Sequence, residues 1–436
     1  MATAGTVLLA STPVQAQEGW DIATAPADER ADCVPVSTPG ESLNEEPWPK
    51  RFIGLDQAHE FNQGTFANGD PVIVAVIDSG VAAERDDVFG GRLLPGFDAW
   101  DENSLGQCDA YMHGTAVAAI AAGGKLADEF IGVAPEAEIL PIRVYLGGDN
   151  DKDADSPEKS KLVAQAITAA VAHGADVINI SATAIHTEEL AAAVADAIAQ
   201  GTVIVAATGN KTTNMDDKVK VEPDKQTYYP ADYPEVIAVG AHDENGIWYG
   251  QTNYGKNIDL LAPGVNVGMP YAGGQWFADE GTSYAAPFVA GAAALLKGQF
   301  GEDASPAWIQ KRLQETAIHP PDGFNVYQGY GILNVANALT APVEDDPTAT
   351  DVDAPVTDDA SSAAPAPDEL GAIPPIDVDY DPLATEKIIA WASVGGALVL
   401  IALVLVLRSI VPKGRRRGWR AGTRKPDNLP ARTADG

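Results

Sequence analysis

Basic residues are scarce: 28 Lys and Arg stand against 62 Asp and Glu, a formal net charge of −34 over 436 residues. A chain so acidic has no general attraction for phosphate backbones, which excludes nucleic-acid binding as its main work. Cysteine is nearly missing, with Cys33 and Cys108 alone. Two thiols cannot build a disulfide-dense scaffold or a four-thiolate zinc site, although they suffice for one bridge. No internal repeat of the length that solenoids or propellers require is found. The rest of the composition is ordinary, 45% hydrophobic and 21% charged with 42 Gly and 31 Pro, which excludes collagen, coiled coil and a wholly disordered chain. One large domain or two of average size would fit.

One long apolar run is present. Residues 388–407 read IIAWASVGGALVLIALVLVL, the ~20 uncharged residues that a helix needs to cross ~30 Å of hydrocarbon. Arg408, Lys413, Arg415, Arg416, Arg417 and Arg420 follow it, whereas the upstream side is rich in Asp and Glu. The positive-inside bias therefore predicts a transmembrane helix over 388–408, a basic cytoplasmic tail over 409–436 and everything before Ile388 outside the cytoplasm. Residues 1–16, MATAGTVLLASTPVQA, have a short apolar stretch and a small-residue cleavage site at Ala16 but no basic residue. They are read as a signal peptide truncated at its start. Export places Cys33 and Cys108 in an oxidising compartment, where they are expected to pair.

Residues 17–50 are polar, contain Pro and hold no sustained period, and are read as an irregular arm. Over 51–340, short β-branched runs alternate with Ala-rich helical patterns, the pattern of an α/β domain with a mostly parallel sheet covered on both faces. Strands are predicted at 71–77, 138–145, 176–180, 202–207 and 236–241. Several are apolar throughout, as strands buried on both faces must be. Helices are predicted at 158–173 and 187–200. Residues 341–387 intersperse eight prolines with Asp, Glu, Ala and Ser, a self-repelling composition that predicts an extended linker.

Three segments carry candidate chemistry. In VAVIDSG, Asp78 closes an apolar strand, and the carboxyl ends of parallel strands are where open α/β sheets place ligands; alone it could be an ordinary Asx turn. In MHGTAVAAIAAG, His113 precedes Gly114 and a helix whose positive end would help keep the imidazole neutral. In GTSYAAPFVAGAAALL, Ser283 opens an apolar helix, where a serine is usually just an N-cap. Together they carry more weight. A serine hydroxyl attacks a carbonyl only when a histidine takes its proton, and the histidine works only when a carboxylate fixes its tautomer. A fourth segment, AATGN, ends a strand at Asn210, whose side-chain amide could hold a tetrahedral oxyanion beside the Ser283 backbone amide.

On these residues the chain resembles the subtilisin-like serine proteases, with Asp, His and Ser in the order that separates them from other triad enzymes. DSG at Asp78, HGT at His113, AATGN at Asn210, GTSYAAP at Ser283 and LAPG at 261–264 match the family's segments over about residues 51–340. The resemblance implies a subtilisin-like three-layer fold and a triad of Asp78, His113 and Ser283 with Asn210 in the oxyanion hole. It also implies a substrate cleft edged by Ser181, Ala182, Thr183 and Gly209, where NISATAIHT departs from the family in lacking a glycine soon after Ser181.

The Cys-bearing arm, Pro-rich linker, single membrane helix and basic tail are similar to the mycosins, the membrane-anchored subtilases of type VII secretion systems. That likeness implies an arm wrapped around the catalytic domain and stapled by Cys33 and Cys108 to the loop ahead of His113. It departs in lacking the cysteines for the second bridge that mycosins usually carry. It implies protein substrates and secretion-complex subunits as partners, with a mainly structural role in stabilising the secretion membrane complex or a general surface protease unrelated to secretion as the competing readings.

Other signals are discounted. The acidic run 149–158 lacks the Gly and Glu of a calcium-binding EF-hand loop. His173, His186, His242 and His319 have no companions at metal-ligand spacing, so neither a metal nor another cofactor is expected. The sequon at Asn179-Ile180-Ser181 ends a strand predicted to be buried.

Overall fold

The computed structural model describes residues 47–126, 130–145, 156–210, 228–274, 276–301 and 304–342. The expected signal peptide, most of the arm with Cys33, most of the acidic run, the linker, the membrane span and the tail lie outside them. The chain divides after Val356, and its second unit, Thr357–Gly436, is also outside. Among the described residues no helix is long and apolar enough to cross a membrane.

The chain enters through two short helices, α1 (Trp48–Phe52) and α2 (Leu55–Ala58). The last residues of the arm, expected to be irregular, are thus helical: Pro47 and Pro49 preset the backbone at the start of α1, where a missing N–H costs nothing. The Trp48 indole donates to the carbonyls of Val265 at 3.3 Å and Asn266 at 3.1 Å, pinning this end to the body of the domain.

Next come β1 (Ile73–Asp78), α3 (Asp86–Phe89), β2 (Phe97–Asp98), α4 (His113–Ala122), β3 (Glu138–Arg143), α5 (Pro157–Ala172), β4 (Val177–Ile180), α6 (Glu188–Ala199) and β5 (Val203–Ala207). They are followed by β6 (Ile237–His242), β7 (Leu260–Pro263), the hairpin of β8 (Val267–Pro270) and β9 (Trp276–Asp279), α7 (Thr282–Phe300), α8 (Pro306–Glu315) and α9 (Val335–Thr340). Seven strands form one parallel sheet in the order β2-β3-β1-β4-β5-β6-β7. The five predicted strands and two predicted helices are present with ends shifted by no more than two residues. The two-residue β2, the β7 strand and the β8–β9 hairpin have no counterpart in the sequence reading.

Strand alternation explains the layers. Val74, Val76, Val177, Val203 and Val205 pack with α4 and α7 on one face, while Ala75, Ile77, Ile178, Ile180 and Ile204 pack with α5 and α6 on the other. Every one of those strand residues is apolar because both faces are covered. Helix starts are fixed by side-chain caps: Ser156 accepts from Lys159 N ahead of α5, Thr187 from Leu190 N ahead of α6, and Ser305 from Trp308 N ahead of α8. The strand order reverses at β1, with β3 on one side and β4 on the other, so the crevice for a ligand lies at the carboxyl ends of β1 and its neighbours.

At those ends Asp78, Asp98 and Arg143 share one register level. Arg143 Nη1 donates to Asp98 Oδ2 at 3.1 Å, with 3% of one side chain and none of the other exposed, and also reaches Cys108 Sγ at 3.3 Å. Asp98 further accepts the amides of Trp100 and Asp101 and the Ser104 hydroxyl, which shapes the loop leading to Cys108. Removing one member of a buried pair strands the other charge. Arg143→Leu is expected to cost about 3–5 kcal/mol, measurable as a lowered denaturation midpoint of the purified chain; an unchanged midpoint would refute the pair's structural role.

Candidate active site

Asp78 ends β1 inside the domain, 2% exposed. Its Oδ1 accepts the Ser79 amide at 2.7 Å and contacts His113 Nδ1 at 2.8 Å. A carboxylate can only accept, so Nδ1 carries the hydrogen and the opposite nitrogen, Nε2, is left to act as a base. Two features make the contact possible. His113 is the first residue of α4, which aims its ring back over the sheet end. Gly114 follows it, and a Cβ there would run into the Gly80 carbonyl and come within 3.2 Å of the Asp78 Cβ. Only glycine lets the helix start lie this close to the strand end.

The His113 side chain is 17% exposed. Burial by itself would lower its pKa, but attraction to Asp78, the hydrogen bond to Asp78 and the more distant carboxylates of Asp109 and Asp279 outweigh it, so the pKa is raised above the ordinary 6.5. The helix end, expected to help keep the ring neutral, acts against these three carboxylates, and the net direction is upward.

Ser283 is the second residue of α7, not its N-cap; that place belongs to Gly281, which makes no side-chain cap. The amide of a second helical residue has no intrahelical acceptor and is open to another partner. The Ser283 carbonyl accepts the Ser181 hydroxyl at 2.7 Å, and Asn179 Nδ2 in turn donates to Ser181 Oγ at 3.0 Å, tying the Ser283 backbone to the end of β4. Tyr284, the next residue, lays its ring 5.2 Å from the His113 ring. The Ser283 hydroxyl makes no hydrogen bond among the described residues; such contacts often shorten only when substrate binds.

Asn210 follows β5 and reaches the same helix start. Its Oδ1 accepts the Thr282 amide at 3.1 Å and the Thr282 hydroxyl at 3.3 Å, which turns Nδ2 toward Gly281. Gly281 has φ +149°, a conformation that side chains rarely adopt, and a Cβ on it would lie 3.1 Å from Asn210 Nδ2 and 3.8 Å from Ser283 Oγ. An acid, an imidazole, a hydroxyl and an amide donor, spread over more than two hundred residues of chain, thus come to one end of the sheet. Ser181 is buried against α7, Ala182 and Thr183 are half-buried, and Gly209 faces Thr183. Cys108 is buried and is not free among the described residues; Cys33, its expected partner, lies outside them.

Comparison with known proteins accords with this geometry. The model of the Subtilase family, Peptidase S8, matches residues 69–331. The chain is a subtilase. Mycosin-1 of Mycobacterium tuberculosis is 33% identical over 361 residues, covering 72% of this chain and 78% of that protein. A thermophilic serine proteinase of a Bacillus species is 36% identical over 269 residues, 61% of each chain. Among solved structures, MycP1 from the ESX-1 type VII secretion system superimposes with a TM-score of 0.62 at 30% identity, over 72% of this chain and 91% of that one. A chain of an intact ESX-5 inner membrane complex does so with a TM-score of 0.60 at 26% identity, over 85% and 92%. This subtilase is therefore a subtilisin-like serine protease related to the mycosins.

Sequence reasoning missed the residue that organises the subtilase's strand end and helix start. Asp109, 4% exposed, accepts the Ser79 hydroxyl at 2.8 Å, the Met112 amide at 2.7 Å, and the Thr115 amide and hydroxyl at 2.8 and 2.6 Å. Ser79 Oγ then accepts the Gly114 amide at 2.9 Å. An aspartate just ahead of a helical pattern is a capping signal that could have flagged it. Burial raises its pKa to about 6 against these hydrogen bonds. Asp109→Ala would leave four buried donors unmatched and is expected to destabilise the protein by about 2–4 kcal/mol. Thermal unfolding of the purified variant tests this, and a wild-type melting temperature would contradict it.

Proposed function

We propose that this chain is a membrane-anchored serine endopeptidase of the mycosin type, facing the outside of the cytoplasmic membrane and acting on proteins of a type VII secretion system. The hydrogen bond between His113 and Asp78 at the carboxyl end of β1 carries the catalytic part of the reading. Ser283 Oγ attacks the scissile carbonyl carbon as His113 Nε2 takes the hydroxyl proton. The resulting oxyanion is held by Asn210 Nδ2 and the Ser283 amide. The C–N bond then breaks, the imidazolium gives its proton to the leaving amine, and water repeats the sequence to free the acid and restore Ser283. Asp78 steadies the imidazolium throughout. The anchor rests on the apolar run before the basic tail, and the staple of Cys33 to Cys108 on the exported location it implies. The secretion setting rests on the likeness to MycP1 and to a chain of the ESX-5 inner membrane complex.

Variants of the full chain test the mechanism against a peptide substrate. Ser283→Ala should abolish labelling by a fluorophosphonate and lower kcat by about a million-fold. Asn210→Ala should lower kcat by about 10²–10³-fold. The raised imidazole pKa sets the sign of the pH dependence, because the base must be neutral: kcat/KM should fall as pH drops through a midpoint above 6.5. Wild-type hydrolysis by Ser283→Ala would refute the assignment.

Similarity to a chain of an intact membrane complex also supports a scaffold role. Complementing a deletion strain with Ser283→Ala separates the two. Restored secretion assigns the essential role to the scaffold, whereas failure with the complex still assembled assigns it to proteolysis.

A further inference from the structure

The residue that supplies the scissile carbonyl must put its side chain close to the oxyanion donor, since only one bond separates its Cα from the carbonyl carbon. With Asn210 as donor, that side chain has to enter beside the segment leading into Asn210 and the segment leaving the neighbouring strand. Strand β4 pairs with β5 in parallel, Ile180 opposite Ala206, so continuing the register sets Thr183 opposite Gly209. The structure has them in contact. A Cβ built on Gly209 would lie 2.6 Å from Thr183 Cγ2, 3.9 Å from Thr183 Cβ and 3.0 Å from Asn253 Nδ2.

The slot is therefore occupied by the protein itself. A side chain inserted between two walls needs about 3.5–4 Å to each, some 7 Å in all, whereas the Thr183 methyl is already in van der Waals contact with Gly209. The far wall is fixed as well: the Asn253 amide donates to Gly209 O at 3.0 Å and its Nδ2 to Thr208 O at 3.0 Å. Rotating Thr183 about χ1 exchanges the methyl for the hydroxyl or a hydrogen and leaves Cβ where it is, so no rotamer opens the slot fully. Thr183 lies in the stretch after Ser181 where the sequence lacks the glycine that many subtilases have.

We infer that Thr183 closes the primary specificity pocket, so that the enzyme cleaves after alanine, glycine or serine and rejects aromatic and long aliphatic residues. The inference rests on the serine protease reading above and deepens it by naming the substrate class.

Active-site labelling of the full-length protein tests the two separately. A small alkyl fluorophosphonate, which carries no amino-acid side chain, reports whether Ser283 is a working nucleophile. Peptidyl diphenyl phosphonates bearing Ala or Phe at the reacting residue report the pocket. The wild type should react with the Ala reagent at least about tenfold faster than with the Phe reagent, the discrimination that one or two methylenes bring in an apolar pocket. Thr183→Gly should raise the Phe-to-Ala rate ratio about tenfold or more. Thr183→Val, which keeps the branched shape, should leave it unchanged and guards against a general loss of folding in the glycine variant. Equal or faster reaction of the wild type with the Phe reagent, or an unchanged ratio in a Thr183→Gly protein that still reacts with the fluorophosphonate, overturns the pocket assignment alone. No fluorophosphonate labelling of the wild type overturns the enzyme reading, and this one with it.

Discussion

The site depends on how closely the start of α4 is pressed onto the end of β1. Asp78 and His113 are thirty-five positions apart in the chain, and their 2.8 Å contact exists because nothing larger than a hydrogen atom stands at Gly114. Asp109 holds that approach from beneath, gathering Ser79 from the strand end and Met112 and Thr115 from the helix start into one set of hydrogen bonds. A buried carboxylate is an expensive way to fasten two elements, and it endures only where every oxygen is well matched. Asp78 and His113 are thus positioned by backbone and buried side chains.

The same logic governs Ser283. Helix α7 is buried along nearly its whole length, so the position of Ser283 is set by packing against the sheet and α4, while Ser181 and Asn210 fix the first turn from two different strands. The elements brace one another: the end of β4 braces α7, and the start of α7 orients Asn210. Such mutual support restrains the relative positions of these side chains.

Much of this was legible in the sequence for identifiable reasons. Strands buried on both faces are continuous apolar runs, so Ile73–Asp78 and Val203–Ala207 stood out, and the long amphipathic helices announced themselves by spacing. Strand β2 did not, because two residues carry no period, and neither did β7, whose Leu260–Pro263 stretch is too short to tell from a loop. The residue types at the site were readable from four short segments. Their supports were not: Asp109 looks like any turn residue until the fold delivers Ser79 to it, and the contact between Thr183 and Gly209 depends on a strand register that periodicity does not supply. The sign of the His113 shift also escaped, because Asp279 reaches the ring only through the tertiary fold.

Of the three carboxylates that raise the His113 pKa, Asp78 and Asp109 are buried, whereas Asp279 stands in solvent. Mobile counterions reach an exposed charge and leave an enclosed one nearly untouched, with a screening distance of about 8–10 Å near physiological ionic strength. Added electrolyte will therefore strip away the outermost contribution while the inner two persist. The protonation behaviour of this centre is in consequence largely shielded from the saltiness of its surroundings.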